Sequence, residues 1–188
     1  MLIKEIQNRI TELGGTSNFQ GKSLHDDLLS IAFEKTFLFE DFADYIPDES
    51  YGKFEQELLA NGFVSDDNVP CTHFEFEIYL YTPFKQGTDD YDSDYSDSEQ
   101  EEYAKSIIRG DISDLMVIGY MDMERYLICL ADENPDNPTV YRIDMDSPFS
   151  EWTGIVIEGT LEEFLKKLLS PDEYRVSIES MVDDLRSK

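Results

Sequence analysis

The chemistry-bearing residues of this sequence are overwhelmingly carboxylates: 42 aspartates and glutamates stand against 15 lysines and arginines, a formal net charge of −27. The densest group is Asp89, Asp90, Asp92, Asp94, Asp97, Glu99, Glu101 and Glu102, with no basic residue among them. Asp90, Asp92, Asp94, Ser98 and Glu101 fall on positions 1, 3, 5, 9 and 12 of a calcium-loop template. Tyr95 stands where that loop needs glycine and Asp97 where it needs an apolar residue, so weak, nonspecific cation association is expected and no specific metal site. Cys71 and His73 lie two apart, but a nucleophile and base also need an orienting group and an oxyanion site, and no motif supplies them. His25, the other histidine, lies on an acidic helical turn. Paired carboxylates are expected by chance in so acidic a chain and carry no acid–base signal. The sequence has no glycine-rich phosphate loop, nucleophile elbow or histidine pair at ligand spacing. The expectation is a non-enzyme with no catalytic residues, no metal, no cofactor and no small-molecule substrate.

The elements that position these residues can be read from hydrophobic periodicity. The stretch from Leu115 to Asp144 gives three strand patterns, Leu115 to Tyr120, Arg125 to Ala131 and Thr139 to Asp144, with connections too short for a parallel crossover. They form an antiparallel meander. His73 to Tyr81 adds a strand alternating Phe74, Phe76, Ile78 and Leu80 against Glu75, Glu77, Tyr79 and Tyr81, one face buried and one wet. Ile155 to Ile157 is a further short apolar run after an irregular piece holding the sole tryptophan, Trp152.

Helical spacing of Leu2, Ile3, Ile6, Ile10 and Leu13, ended by Gly14 and Gly15, predicts an N-terminal helix within 1–15. Ser23 caps a second helix, with Asp26 three residues on. Pro47 opens a third that ends at Asn61 and Gly62. Residues 36–42 fit helix and extended chain equally well. A short helix from Glu101 to Arg109 leads into the meander, Thr160 and Glu163 form a capping box, and Pro171 opens a last helix. The fold class is therefore α+β: an antiparallel sheet of about four to six strands packed against helices on one side, in a single domain over 1–188. Residues 85–102 form an acidic insertion, expected as a mobile surface loop because so much like charge resists packing.

Composition narrows the function. The charge excess is spread along the whole chain, so nucleic acid, anionic membrane and acidic substrates are repelled and a basic protein is attracted. The start of the chain lacks an apolar leader core and no run approaches membrane-span length, so a cytoplasmic protein with two reduced thiols, Cys71 and Cys129, is expected.

Three landmarks in order carry a family resemblance: IPDESYGKFEQELLANGF at 46–63, MVIGYMDMERYLICLADENPDNPTVYRIDMD at 116–146 and GTLEEFLKKLL at 159–169. Together they resemble the SUKH superfamily, which includes fungal cell-wall assembly regulators and bacterial immunity proteins. The Gly-Asp pair that often precedes the family's second meander strand is replaced here by Met123-Glu124-Arg125. The resemblance implies a non-enzymatic immunity protein that neutralises a cognate polymorphic toxin, often a nuclease; the alternatives are an intracellular regulator or scaffold of the cell-wall assembly type, and an enzyme of unrecognised type. Charge converges on the first reading, since a nuclease presents a basic groove that acidic side chains can occupy. The expected partner-binding residues are Asp89, Asp90, Asp92, Asp94, Asp97, Glu99, Glu101 and Glu102, with Tyr91 and Tyr95 as aromatic anchors.

Overall fold

The computed structural model describes residues 2–33, 37–38, 73–95, 98–121, 123–170, 172–173 and 176. The expected helix opened by Pro47, Cys71, Asp97 and most of the helix after Pro171 lie outside the described residues.

The meander forms as expected and is longer at both ends. β3 (Tyr79–Tyr81), β4 (Leu115–Met121), β5 (Glu124–Cys129), β6 (Thr139–Asp144) and β7 (Val156–Thr160) make a five-stranded sheet in sequential order. Every neighbouring pair is antiparallel. The run at Ile155 to Ile157 thus becomes an outer strand. A separate two-stranded pair joins β1 (Phe37–Leu38) to β2 (His73–Phe74), so the ambiguous segment near residue 37 is extended there.

The single strand expected over His73 to Tyr81 is broken. Glu75 bridges Tyr120 while Tyr79 to Tyr81 pair with Val117 to Leu115, and residues 76–78 carry no ladder. β4 is itself irregular here: in its pairing with β5, Ile118 is an extra residue between Val117 and Gly119. Gly119 permits the close approach of the broken strand on the other side: a Cβ there would lie 2.2 Å from the Glu75 carbonyl oxygen and 2.4 Å from the Phe74 ring.

The sheet is covered on both faces, which corrects the expectation of one covered side. Met116, Ile118, Tyr126, Ile128 and Val140 pack on one face with Ile6 and Ile10 of α1 (Lys4–Glu12), with Leu13 at its C-cap and with Leu28 of α2 (Leu24–Leu29). Leu115, Val117, Leu127, Cys129, Tyr141 and Ile143 pack on the other with Phe84, Phe149, and Ala104 of α3 (Glu99–Ile107). The strands β4 and β5 are near-continuous apolar runs, the pattern of a sheet with two dry faces, whereas alternation marks one wet face.

The caps fold as their residues dictate. Ser23 accepts the Asp26 amide at 3.0 Å to start α2. Thr160 and Glu163 satisfy one another's amides to start α4 (Leu161–Lys167), whose Leu161, Phe164 and Leu165 complete the core against α1. α3 begins two residues before its expected start, with Glu99, Glu101 and Glu102 at the positive end of its dipole.

Candidate functional site: an acidic face beside an exposed tryptophan

The acidic tract packs against the body of the protein, contrary to the expectation that its charge would keep it off. After β3 ends, Thr82 donates through its amide (2.6 Å) and its hydroxyl (2.5 Å) to the two carboxylate oxygens of Asp90. The Asp92 amide reaches back to the Pro83 carbonyl at 2.9 Å, and the Thr88 hydroxyl donates to the Lys85 carbonyl at 2.7 Å. Burial works against the Asp90 charge, but Thr82's hydroxyl and amide outweigh it and hold the carboxyl below the usual range. The Tyr95 ring meets Phe149 edge-on at 5.5 Å and lies 6.4 Å from Phe84. A few inward groups therefore tie down a tract whose Asp89, Asp94, Glu99 and Glu102 carboxylates stay in water.

The expected partner-binding residues divide accordingly. Asp89, Asp94, Glu99 and Glu102 are exposed carboxylates. Asp90 is turned inward onto Thr82, and the half-buried Glu101 pairs with Lys105. Tyr91 and Asp92 are half-buried, and Asp92 accepts the Asp94 amide at 2.8 Å. Tyr95 spends its ring on the core. Asp90, Asp92 and Glu101 of the calcium-loop pattern are thus engaged by protein donors, and no group of three or more ligating side chains among the described residues is placed to hold a metal ion.

Beneath the tract, Arg125 of β5 lies 4.6 Å from the Tyr81 ring centroid and 6.0 Å from that of Tyr120. Its Nε is buried without a hydrogen-bond partner among the described residues. Burial pushes the Tyr81 hydroxyl up to about 12 against the opposing pull of Arg125. This guanidinium places positive charge under a surface of aspartates.

A second segment joins this face. The chain between β6 and β7 folds into turns: Asp144 accepts the amides of Asp146 and Ser147, the Ser150 carbonyl accepts the Gly154 amide at 2.9 Å, and Thr153 donates its hydroxyl to the Ser147 carbonyl at 2.7 Å. Phe149 is driven into the core, where it meets Tyr95 of the acidic tract and Phe84 just ahead of it. Tyr103 of α3 accepts the Ile155 amide at 3.0 Å. Trp152 points away from all of this and is 98% exposed. In the sequence it falls in an irregular piece, and its signal there is a lone tryptophan in a polar segment, flanked by Glu151 and Thr153.

Elsewhere the described residues offer little reactive chemistry. Cys129 is buried, donates its thiol to the Asp111 carbonyl at 3.1 Å, and burial raises its pKa, which suppresses the thiolate. His25 Nδ1 lies 3.6 Å from Asp26 on the surface of α2. A cleft of about 340 Å³ between α1 and α4 is lined by Arg9, Glu12, Glu162 and Glu173 among others, and one of about 360 Å³ by Asn18, Gln20, Asp26 and Asp27 among others. Neither brings a nucleophile beside a base.

The described part of the molecule is an α+β fold with a five-stranded antiparallel sheet between two apolar layers, one of them roofed by an acidic loop and a braced tryptophan turn. The chain matches no protein family, no curated protein and no solved structure. No helix among the described residues is long and apolar enough to cross a membrane.

Proposed function

We propose that this chain is a cytoplasmic, non-enzymatic immunity protein of SUKH type that captures and neutralises a basic toxin domain of a polymorphic toxin system. The observation that carries the reading is the face built from Asp89, Asp94, Glu99, Glu102 and the Trp152 turn, on a chain of net charge −27. Such a surface draws a basic protein in from a distance and suppresses encounters with nucleic acid and other acidic proteins. The order of meander, irregular segment and closing helix is also the order of the resemblance at 116–146 and 159–169.

The test is co-expression with the product of a neighbouring toxin gene. The expected result is rescue of growth and nanomolar binding that weakens steeply with salt. Replacing the four exposed carboxylates together, Asp89→Asn, Asp94→Asn, Glu99→Gln and Glu102→Gln, removes roughly 0.5 kcal/mol or more per charge and lowers affinity about 10- to 100-fold at low salt. Asp90 is left untouched because it holds the loop. Absence of protection against any neighbouring toxin would sink the reading.

A further inference from the structure

We propose that Trp152 is the anchor of this face and that it receives an arginine side chain of the basic partner, its indole stacking on the guanidinium while nearby carboxylates take the remaining charge. The inference deepens the proposed function and rests on it.

A tryptophan side chain presents roughly 200 Å² of mostly apolar surface, so covering it with a partner is favourable. Here it is 98% exposed on a turn that is itself well fixed. Thr153 bonds to Ser147, Gly154 to Ser150, Ile155 to Tyr103, and Phe149 is fully buried two residues after Ser147. A side chain displayed by such a platform is already positioned, and binding it loses little backbone freedom.

The surroundings select the occupant. Glu151 and Asp146 are exposed on the same turn, and Tyr103 and Phe149 tie the turn to α3 and to the acidic tract. Ile157, 51% exposed, is paired in register with Tyr141, whose side chain lies in the layer beneath the tract, so it stands on the same face of the sheet. A second copy of this chain would set −27 against −27 across the contact, and nucleic acid or anionic lipid meets the same repulsion. A basic protein segment is attracted by the carboxylates and satisfied by the ring. Arginine fits better than lysine because its planar, weakly hydrated guanidinium stacks on an aromatic face while its N–H groups still reach carboxylates.

The chain contains one tryptophan, so its emission reports on this residue alone. The experiment titrates the full chain with a short peptide of alternating arginine and glycine, and separately with its lysine counterpart. Calorimetry follows binding and tryptophan emission follows Trp152, at salt on the order of 20 mM where the Debye length is long. The arginine peptide is expected to move the emission along the same isotherm that calorimetry records. Trp152→Ala, which removes no packing, should keep the native circular dichroism, weaken the arginine peptide about threefold to fivefold and leave the lysine peptide nearly unchanged. Binding with an unmoved emission and no effect of Trp152→Ala would overturn the inference and leave the acidic-face reading standing. Failure of the chain to bind either peptide would overturn both.

Discussion

Arg9 shows how single residues set the frame on which the acidic face sits. Although only 9% exposed, it keeps its charge: Nη2 donates to the Leu168 carbonyl at 2.7 Å, Nε to the Leu165 carbonyl at 3.3 Å, and the two Nη groups grip both oxygens of Glu173 at 2.9 and 2.8 Å. Burial opposes the charge, but the bonds and fields of Glu173 and Glu12 outweigh it and raise the Arg9 pKa. Arg9→Met removes the guanidinium from the Leu165 and Leu168 carbonyls and from Glu173 and is expected to cost about 2 to 4 kcal/mol by urea unfolding. The same contact sets an acid response. Glu173, chiefly through its bond from Arg9, has its pKa lowered to about 2 in the folded state. A depressed carboxylate contributes stability that is whole above its unfolded value near 4.5 and is lost as pH falls toward 2. Its side chain is 45% exposed, so solvent screens the effect and the amplitude is small. Unfolding midpoints measured from pH 5 to pH 2 should therefore fall less in Arg9→Met than in the parent; identical slopes would show that Glu173 gains nothing from Arg9. The helical spacing of Ile6, Ile10 and Leu13 made the buried face of α1 readable, whereas a charge on that face bonded to carbonyls more than 150 residues away leaves no local mark.

At the scale of elements, the strand pattern of the meander was plain because short polar connections permit only antiparallel neighbours. The two caps, Ser23 with Asp26 and Thr160 with Glu163, were equally plain because their chemistry is local. The second covered face is also written in the unalternating apolar residues of β4 and β5, whereas the alternation of residues 73–81 signals one wet face. What no local pattern shows is the break in that strand, since it is set across the ladder. β4 bulges at Ile118 against β5, Gly119 on its other side lets the Glu75 backbone and the Phe74 ring close in, and the chain resumes pairing at Tyr79. Gly119→Ala would place a methyl group 2.2 Å from a carbonyl oxygen that belongs to a backbone bridge, with no flexible end to swing away. The expected cost is about 2 kcal/mol or more, read as a lowered denaturant midpoint at unchanged slope. Because the close approach involves the segment running into β3 and the acidic tract, the variant should also increase amide exchange at Thr82 and Asp92. A variant as stable as the parent would mean that the bulge absorbs the methyl group and that Gly119 does not set the break.

For the molecule as a whole, the charge tract was visible as composition, but composition could not say which carboxylates face water. Asp90 and Asp89 are adjacent in sequence and opposite in role, because Thr82, eight residues earlier, offers two donors to one and none to the other. The net charge of −27 has a further consequence for stability. Like charges at this density repel more in the compact state than in the expanded one, and salt screens them over a Debye length of about 10 Å at 0.1 M. Raising sodium chloride from about 20 to 500 mM should therefore raise the melting temperature by about 2 to 4 °C, the equivalent of roughly 1 kcal/mol for a chain of this size. Chloride is the appropriate anion because sulfate also strengthens apolar burial and would blur the cause. Over the same range, affinity for a basic partner should fall, since the attraction that steers it is screened equally. Salt thus drives stability and binding in opposite directions from a single origin. A melting temperature that stays level or falls between those concentrations would show that the ion pairs of Arg9, Arg142 and Lys167 already offset the repulsion, and that the surface charge acts on partners alone.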